Sequence, residues 1–216
     1  MTTFVGHFLT AGMEKSDFNL DHQNESTESK IVASLERISQ AFRVLLWEES
    51  KEHGVSPIQI QILTFLRFHS EDKCKVSYLA AEFNMTKATI SDAIKSLEQK
   101  LLIEKVRDSR DSRSYTIKLT DRGLDVANKT SLFSKEIFKP ITKLQPDDKE
   151  NLLLTLLSII RHLNQTGVIT IQRMCLTCKY YEYSEKNQNH YCHLLKQKLE
   201  STDLRIDCPE HEMKQD

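Results

Sequence analysis

Residues 76–101 read VSYLAAEFNMTKATISDAIKSLEQKL, and this stretch decides the fold. Its first part predicts a short helix whose apolar residues, through Phe83, turn inward. The Asn-Met-Thr triplet at 84–86 predicts a turn. A longer helix, about 87–101, follows, and its apolar residues recur at helical spacing: Ile90, Ile94, Leu97 and Leu101.

Two short strands are predicted directly after this helix pair. Ile103–Arg107 is the first strand, and in the second Tyr115, Ile117 and Leu119 alternate with polar residues, the period of a half-buried strand. The segment DSRDSR at 108–113 forms the charged tip between them. Helix, turn, longer helix and hairpin is the order of a winged helix-turn-helix, so the fold class is mainly α, with the winged helix-turn-helix at its centre.

Amphipathic helices flank this unit. The sequence predicts helices over about 28–50, from Ser56-Pro57 to 68 with Ser56 and Gln59 as a capping box, from Thr120 to 138, and from Pro146 to near Gly167. The last one is apolar almost all round near 151–163, and such a helix needs cover on several sides. A partner chain is the simplest source of that cover, so we expect a homodimer with 29–168 as the DNA-binding and dimerisation domain.

The second helix of such a unit enters the major groove of double-stranded DNA. The residues predicted to face the groove are short or basic, as close approach to bases and phosphates requires: Thr86, Lys87, Ala88, Thr89, Ser91, Asp92 and Lys95. The position of Thr86 favours a helix cap over a base contact. At the hairpin tip, Arg110 and Arg113 are predicted to reach a narrow minor groove, where the negative potential is strongest; Arg113 could instead pair with Asp111 inside the wing.

The motifs 77–83 (SYLAAEF), 86–91 (TKATIS) and 97–98 (LE) resemble the two helices of the MarR family. The wing sequence DSRDSR, followed by a strand and a Leu-Thr-x-x-Gly helix start at 119–123, resembles that family's wing signature. The resemblance covers about 30–165. It implies a DNA-binding transcription regulator, with Arg110 in the minor groove and the terminal helices forming the dimer. Two residues depart from the family pattern: Asp92 stands where a basic residue is common, and Leu101 where a glycine is common.

Composition limits the other classes of function. The 216 residues carry a net charge of −1, so net charge itself gives no support for nucleic-acid binding. Only 5 glycines and 4 prolines are present, which predicts few turns and much helix. No apolar run is long enough for a membrane span, and no basic segment with an apolar stretch predicts a secretion signal, so a cytoplasmic location is expected. Residues 1–28 are polar after a short apolar start and predict a flexible arm. Neither a phosphate-binding glycine loop nor a catalytic motif is found, so we do not expect an enzyme.

Four of the five cysteines lie in the last 42 residues, and 170–216 is predicted to be a small cysteine-rich metal-binding module. Its candidate ligands are Cys175, Cys178, Cys192 and Cys208. A Cys-x-x-Cys pair with two further cysteines at loop distance suits structural zinc, so one zinc per chain is expected; the alternative is an iron–sulfur cluster, which four cysteines also suit. Three histidines in the same segment are alternative ligands: His190, His193 and His211.

The first functional hypothesis is a DNA-binding repressor whose affinity is set by a small-molecule effector bound between the helices, or by the metal module. The second is a metal or redox sensor in which the tail is the input. A structural adaptor is the third. Cys74, the isolated cysteine, is interpreted as a packing residue rather than a redox-sensing thiol.

Overall fold

The computed structural model describes residues 16–107, 115–186 and 189–214. Within these ranges the fold is mainly helical, with two small antiparallel sheets. The helices are α1 (Leu20–Glu25), α2 (Thr27–His53), α3 (Pro57–Phe68), α4 (Val76–Glu82), α5 (Lys87–Gln99), α6 (Asp121–Thr130), α7 (Lys135–Thr142) and α8 (Pro146–Gln165). The strands are β1 (Ile103–Arg107), β2 (Tyr115–Leu119), β3 (Tyr181–Ser184), β4 (Asn189–Cys192) and β5 (Gln197–Leu199).

The chain divides into two compact units, 1–47 and 48–216. In the first unit, α1 lies inside the segment predicted as a flexible arm. It begins at Asn19, whose side chain accepts hydrogen bonds from the backbone N–H groups of Asp21 and His22. Along this unit's part of α2, Ile31 and Ile38 leave about half of their surface exposed. Apolar surface therefore remains on this helix within its own unit.

The winged helix-turn-helix forms the core of the second unit. Helices α3, α4 and α5 pack with β1, β2 and α6. The apolar side chains at this centre are at most 1% exposed: Ile60, Ile62, Leu63, Leu79, Ile90, Ile94, Leu97 and Ile117. The backbone N–H of Ile117 donates to the carbonyl of Cys74 at 2.9 Å, which fixes the wing against the segment before α4. The predicted mainly helical winged-helix fold is confirmed.

Local signals set most helix starts as the sequence predicted. Ser56 and Gln59 form the expected capping box: the Gln59 backbone N–H donates to Ser56 Oγ at 3.4 Å, and the Ser56 N–H donates to Gln59 Oε1 at 3.0 Å. Thr120 caps α6 by accepting from the N–H of Gly123 at 3.1 Å. Such caps satisfy backbone donors that have no partner within the helix.

The single helix predicted from Thr120 to 138 is wrong, because the structure has two helices with a turn at 131–134. The hydroxyl groups at the break bond the backbone: Thr130 Oγ1 donates to the Val126 carbonyl at 2.9 Å and Ser131 Oγ to the Asn128 carbonyl at 3.0 Å. Hydroxyl side chains that bond the local backbone in this way compete with helix continuation.

Helix α5 ends at Gln99 rather than at 101, and Leu101 does not join its buried stripe. Leu101 has φ 57° and is 68% exposed. Its N–H donates to the Glu98 carbonyl at 2.9 Å, and the N–H of Leu102 donates to the Leu97 carbonyl at 3.0 Å. This pair of bonds is a Schellman motif, in which the left-handed position is usually glycine. The turn therefore has the shape that glycine favours, with a leucine in it.

Gly123 is the glycine that close packing requires. A methyl group at this position would lie 1.8 Å from the carbonyl oxygen of Leu102. That same carbonyl accepts from the N–H of Thr120 at 3.1 Å. The first turn of α6 thus crosses directly over the backbone that leads into the wing.

The C-terminal tail folds as part of the second unit. Strands β3, β4 and β5 form an antiparallel sheet in that order. Leu157 of α8 packs in one cluster with three buried tail residues, Met174, Leu199 and Leu204. The tail therefore covers one side of α8, where a partner chain had been expected to supply the cover.

A second apolar side of α8 stays partly exposed within the described chain. Leu152, Leu156, Ile159 and Leu163 recur at helical spacing; Leu152 is 40% exposed and the other three are half-buried. Helix α8 therefore has two apolar sides, one of which packs against the tail. No helix of the described residues is long and apolar enough to cross a membrane.

Candidate nucleic-acid interface and metal centre

Helices α4 and α5 form the helix-turn-helix. Asn84 takes a left-handed conformation, φ 50°, which asparagine tolerates better than most residues. The Met85 N–H donates to the Ala80 carbonyl at 2.8 Å and so closes the turn. Thr86 is the N-cap of α5. The turn predicted at 84–86 is found at that place.

The two sides of α5 differ sharply. Ile90, Ala93, Ile94 and Leu97 are buried against the core. Every residue predicted to face DNA is exposed: Thr86, Lys87, Ala88, Thr89, Ser91, Asp92 and Lys95. Neither Lys87 nor Lys95 forms an ion pair with a described residue. The structure thus brings all seven predicted residues to one solvent-facing surface, which we call the α5 face.

Two threonines at the start of the α5 face are bonded to each other. The Thr86 and Thr89 hydroxyl oxygens lie 2.8 Å apart, and Thr86 Oγ1 accepts from the Thr89 N–H at 3.1 Å. Thr86 therefore caps the helix, as its sequence position allowed. The other five members of the face have no part in that cap: Lys87, Ala88, Ser91, Asp92 and Lys95.

The wing is a regular two-stranded ribbon. Its register pairs Ile103 with Leu119 at one end and Arg107 with Tyr115 at the other. Lys105 forms an ion pair with Glu98 of α5 at 2.6 Å, so this lysine braces the wing against the helix. Arg110 and Arg113 lie outside the described residues, as does the 108–113 tip that carries them.

The four tail cysteines line one cavity of about 250 Å³, so the structure brings the predicted ligands together. Cys175 and Cys178 come from the turn that precedes β3, Cys192 ends β4, and Cys208 follows the last short turn. The Arg205 N–H donates to Cys175 Sγ at 3.2 Å, and its guanidinium Nη1 donates to Cys208 Sγ at 3.5 Å. Burial raises the pKa of the Cys175 thiol, and the neighbouring thiols add to that rise.

The sulfur atoms are not clustered tightly. Among the described residues, no three of the four thiols have their sulfur atoms within 4.8 Å of one another; the group that meets this limit is Glu49, Glu52 and His53. That group lies at the end of α2, where His53 and Glu49 pair at i,i+4 with a separation of 3.4 Å. An exposed acidic helix end of this kind is common without any metal ion.

The three tail histidines bond other groups. His190 Nδ1 lies 2.6 Å from the Tyr181 hydroxyl, and His193 Nε2 lies 2.7 Å from the Glu182 carboxylate. His211 Nε2 lies 3.0 Å from Thr177 Oγ1. None of the three is among the residues that line the cysteine cavity.

Cys74 is a buried packing residue. It is 3% exposed, and its Sγ donates to the Ser70 carbonyl at 3.4 Å. Burial, with the nearby acidic residues, raises the pKa of this thiol to about 11. A thiol with so high a pKa holds little thiolate, which favours the packing interpretation over a redox-sensing one.

Sequence reasoning missed Arg173, which joins the tail to the helix-turn-helix. Its guanidinium donates to the carboxylate of Glu82 in α4 and, on its other edge, to that of Asp207. It also donates to the Tyr78 hydroxyl at 2.8 Å. Arg173 is only 8% exposed. The one available signal was position, since Arg173 and Asp207 each lie within two residues of a candidate cysteine ligand.

Residues 53–114 match the profile of the MarR family. Among curated relatives, the transcriptional regulator SarZ of Staphylococcus haemolyticus is 23% identical over 110 residues, which cover 51% of this chain and 73% of SarZ. The transcriptional repressor MdtR of Bacillus subtilis is 30% identical over 95 residues, which cover 44% of this chain and 60% of MdtR. These relatives are transcription regulators and not enzymes.

Solved structures show the same fold. The S. aureus protein MepR in its DNA-binding conformation is 22% identical and superposes with a TM-score of 0.55, over 62% of this chain and 98% of MepR. A MarR transcriptional regulator from Methanosarcina mazei is 16% identical, with a TM-score of 0.54 over 63% and 97% of the two chains. The winged-helix region of this chain therefore has the MarR-like fold.

Proposed function

We propose that this chain is a MarR-type transcription regulator that binds double-stranded DNA as a homodimer and acts as a repressor. The observation that carries the proposal is the α5 face: seven short or basic residues are exposed on the second helix of a winged helix-turn-helix, while its apolar residues are buried. A relative that matches this chain, MdtR, is itself a repressor. Such a regulator acts in the cytoplasm, where its DNA is.

The α5 face suits the major groove. The N-terminal half of a recognition helix contacts base edges, and the proposed contact residues here are Ala88, Thr89, Ser91 and Asp92. Small side chains let the helix backbone approach closely, and the Asp92 carboxylate can accept from a cytosine amino group. Lys87 and Lys95 supply phosphate contacts, which position the protein without reading the sequence. Arg110 and Arg113 are assigned to the minor groove on their sequence pattern.

The homodimer follows from the second apolar side of α8. One side packs against the chain's own tail, while Leu152, Leu156, Ile159 and Leu163 remain for a second copy. A second copy is also the partner that a twofold-symmetric DNA site requires. The two recognition helices of the dimer then read half-sites about one helical turn apart.

Selection of bound duplexes from a random pool tests the proposal. The expected product is an inverted repeat with half-site centres about 10 base pairs apart. On that duplex, Lys95→Ala should lower the slope of log affinity against log salt by about one if Lys95 meets one phosphate. The matched control is Lys129→Ala, because Lys129 is exposed on α6 and paired with Asp125. Absence of any enriched sequence at low salt would contradict the proposal.

A further inference from the structure

The cysteine cavity is a built site rather than a chance grouping. Four cysteines from separate parts of the tail meet around about 250 Å³ of space. A space that holds one water molecule needs only about 10–15 Å³ on the same measure. The walls between the cysteines carry large side chains, among them Tyr180, Tyr181, Leu194 and Leu199. The cavity therefore has room for a group larger than one ion, and its wall also carries polar and charged side chains, Gln197, Asp203, Arg205 and Glu210.

The spacing of the thiols points the same way. Four sulfur atoms at about 2.3 Å from a single zinc ion lie about 3.8 Å from one another. In this tail no three of the four sulfur atoms lie within 4.8 Å of one another. In a [4Fe–4S] cluster each cysteine binds a different iron corner, so the sulfur atoms stand roughly 6 Å apart. The arrangement fits the larger group better than the single ion.

The surroundings supply hydrogen bonds to the sulfur atoms. The Arg205 backbone N–H donates to Cys175, and its guanidinium donates to Cys208. Hydrogen bonds to ligand sulfur and a nearby cation stabilise the negative charge of a four-thiolate cluster and tune its potential. The same Nη1 also donates to Glu210 Oε2 at 3.2 Å, and the Cys208 thiol lies 3.4 Å from that oxygen.

We propose that Cys175, Cys178, Cys192 and Cys208 bind one [4Fe–4S] cluster per chain, and that the bound cluster fixes the position of α4. When a preformed thiolate-ligated cluster is transferred, each cysteine forms one iron–sulfur bond in place of the bond to one synthetic thiolate. The cysteine proton passes to that departing thiolate, which leaves as free thiol, with no change in oxidation state. Cys175 and Cys178 supply two of the four thiolates from one short turn, and Cys192 and Cys208 supply the other two.

The path from cluster to α4 is short and made of bonds. The N–H of Cys208 donates to the Arg173 carbonyl at 2.9 Å, and Asp207 forms a parallel bridge and an ion pair with Arg173. The Arg173 guanidinium donates to Glu82 at the end of α4 at 2.6 Å. Thr170 Oγ1 also donates to the Ala81 carbonyl at 2.6 Å. Loss of the cluster frees the Cys208 segment and so weakens the Arg173 and Thr170 contacts to α4, the helix that precedes the recognition helix. Any effect on DNA affinity rests on the proposed function.

Metal uptake tests the first half of the proposal. Full-length protein purified without air is mixed in parallel with a synthetic thiolate-ligated [4Fe–4S] cluster and with zinc ions, then desalted. We expect about four irons and four sulfides per chain, with broad visible absorption. Cys192→Ser should lose the cluster, while Cys74→Ala should keep it, since Cys74 lies outside the cavity. One zinc per chain that blocks cluster uptake, two irons per chain, or no uptake by folded protein would each overturn the assignment.

Amide exchange tests the second half. The cluster should slow exchange across Val76–Glu82 in the wild-type chain. Glu82→Gln keeps the Arg173–Asp207 pair and weakens only the link to α4, so this variant should bind the cluster yet show a smaller slowing. Equal exchange with and without cluster in the wild type would overturn the coupling while leaving the metal site in place. Neither metal uptake nor amide exchange involves DNA, so a negative result in either measurement is distinct from failure of the proposed function.

Discussion

Arg173 in the tail and Glu82 in α4 form a two-point ion pair across 91 residues of sequence. Nη1 of Arg173 lies 2.6 Å from Glu82 Oε2, and Nη2 lies 3.1 Å from Oε1. The guanidinium also lies to one side of the adjacent rings of Phe65 and Tyr78, 5.8 and 5.9 Å from their centroids. This arrangement ties the cysteine tail to the DNA-binding part of the same unit.

Replacement of Arg173 by methionine should destabilise the protein by about 3 kcal/mol, because it removes the cation that Glu82 and Asp207 share and leaves Asp207 with only its contact to His69. The figure is at the low end for a buried pair, since the Asp207 side chain is 40% exposed and solvent screens it. Denaturant unfolding measures the change. Lys129→Met removes a solvent-exposed pair and should cost less than about 0.5 kcal/mol. Equal losses in the two variants would contradict a central role for Arg173.

The same pair predicts a pH dependence. Hydrogen bonds from Arg173 hold the pKa of Asp207 at about 2, below its ordinary value of 3.8. A depressed pKa means that the carboxylate contributes stability above pH 3.8 and loses that contribution as the pH falls to about 2. Asp207→Asn should therefore be less stable than wild type at neutral pH, and the difference should shrink between pH 4 and pH 2. A constant difference over that range would exclude the pair as its source.

The left-handed backbone conformation of Leu101 predicts that glycine at this position would stabilise the protein. Leucine at φ 57° in an exposed Schellman turn carries a backbone cost of about 1 kcal/mol, and its side chain buries little. Leu101→Gly should therefore raise the free energy of unfolding by several tenths to about 1 kcal/mol. Gln99→Gly, at the last residue of α5, should not raise it, because glycine has no advantage at a right-handed helical position. Thermal unfolding of the two variants separates turn geometry from a general effect of glycine.

Leu156→Asp should convert the homodimer into a monomer, because Leu156 lies on the side of α8 that the tail leaves uncovered. Ile160 is a poorer choice, since it packs against the cluster formed with the tail and its loss would disturb the chain's own fold. Ser158→Asp is the matched control on an exposed part of the same helix. Sedimentation velocity reads the result, and a wild-type chain that is monomeric at micromolar concentration would remove the basis of this prediction.

Local chemistry made much of the fold predictable. The Ser56–Gln59 capping box, the turn at Asn84 and the Thr120 cap are set by residues three or four positions apart, and each is found where the sequence placed it. The seven exposed residues of the α5 face follow from the 3.6-residue period of one helix. These features depend on residues that are close in sequence, so they can be predicted from a single sequence.

Features that depend on distant contacts were not predictable. Nothing near Arg173 in the sequence indicates that it meets Glu82, and the period of α8 does not tell whether a partner or the tail covers Leu157. Cysteine spacing limits the ligand set, whereas the distances between sulfur atoms depend on how β4 and the final turn are placed. One local feature was also missed: the split between α6 and α7, where the Thr130 and Ser131 hydroxyl groups bond backbone carbonyls three or four residues earlier.

The most direct test of DNA reading by α5 is the affinity of Ser91→Glu for the selected inverted repeat, measured beside wild type and Asn128→Glu at one salt concentration. Ser91 is exposed on the α5 face, and a carboxylate there would meet the negative groove, so affinity should fall at least tenfold, about 1.4 kcal/mol. Asn128 is exposed on α6 and accepts from Arg67 at 3.1 Å, so its carboxylate variant adds the same charge and should bind much like wild type. If Ser91→Glu binds within twofold of wild type, α5 does not enter the groove and the account is contradicted.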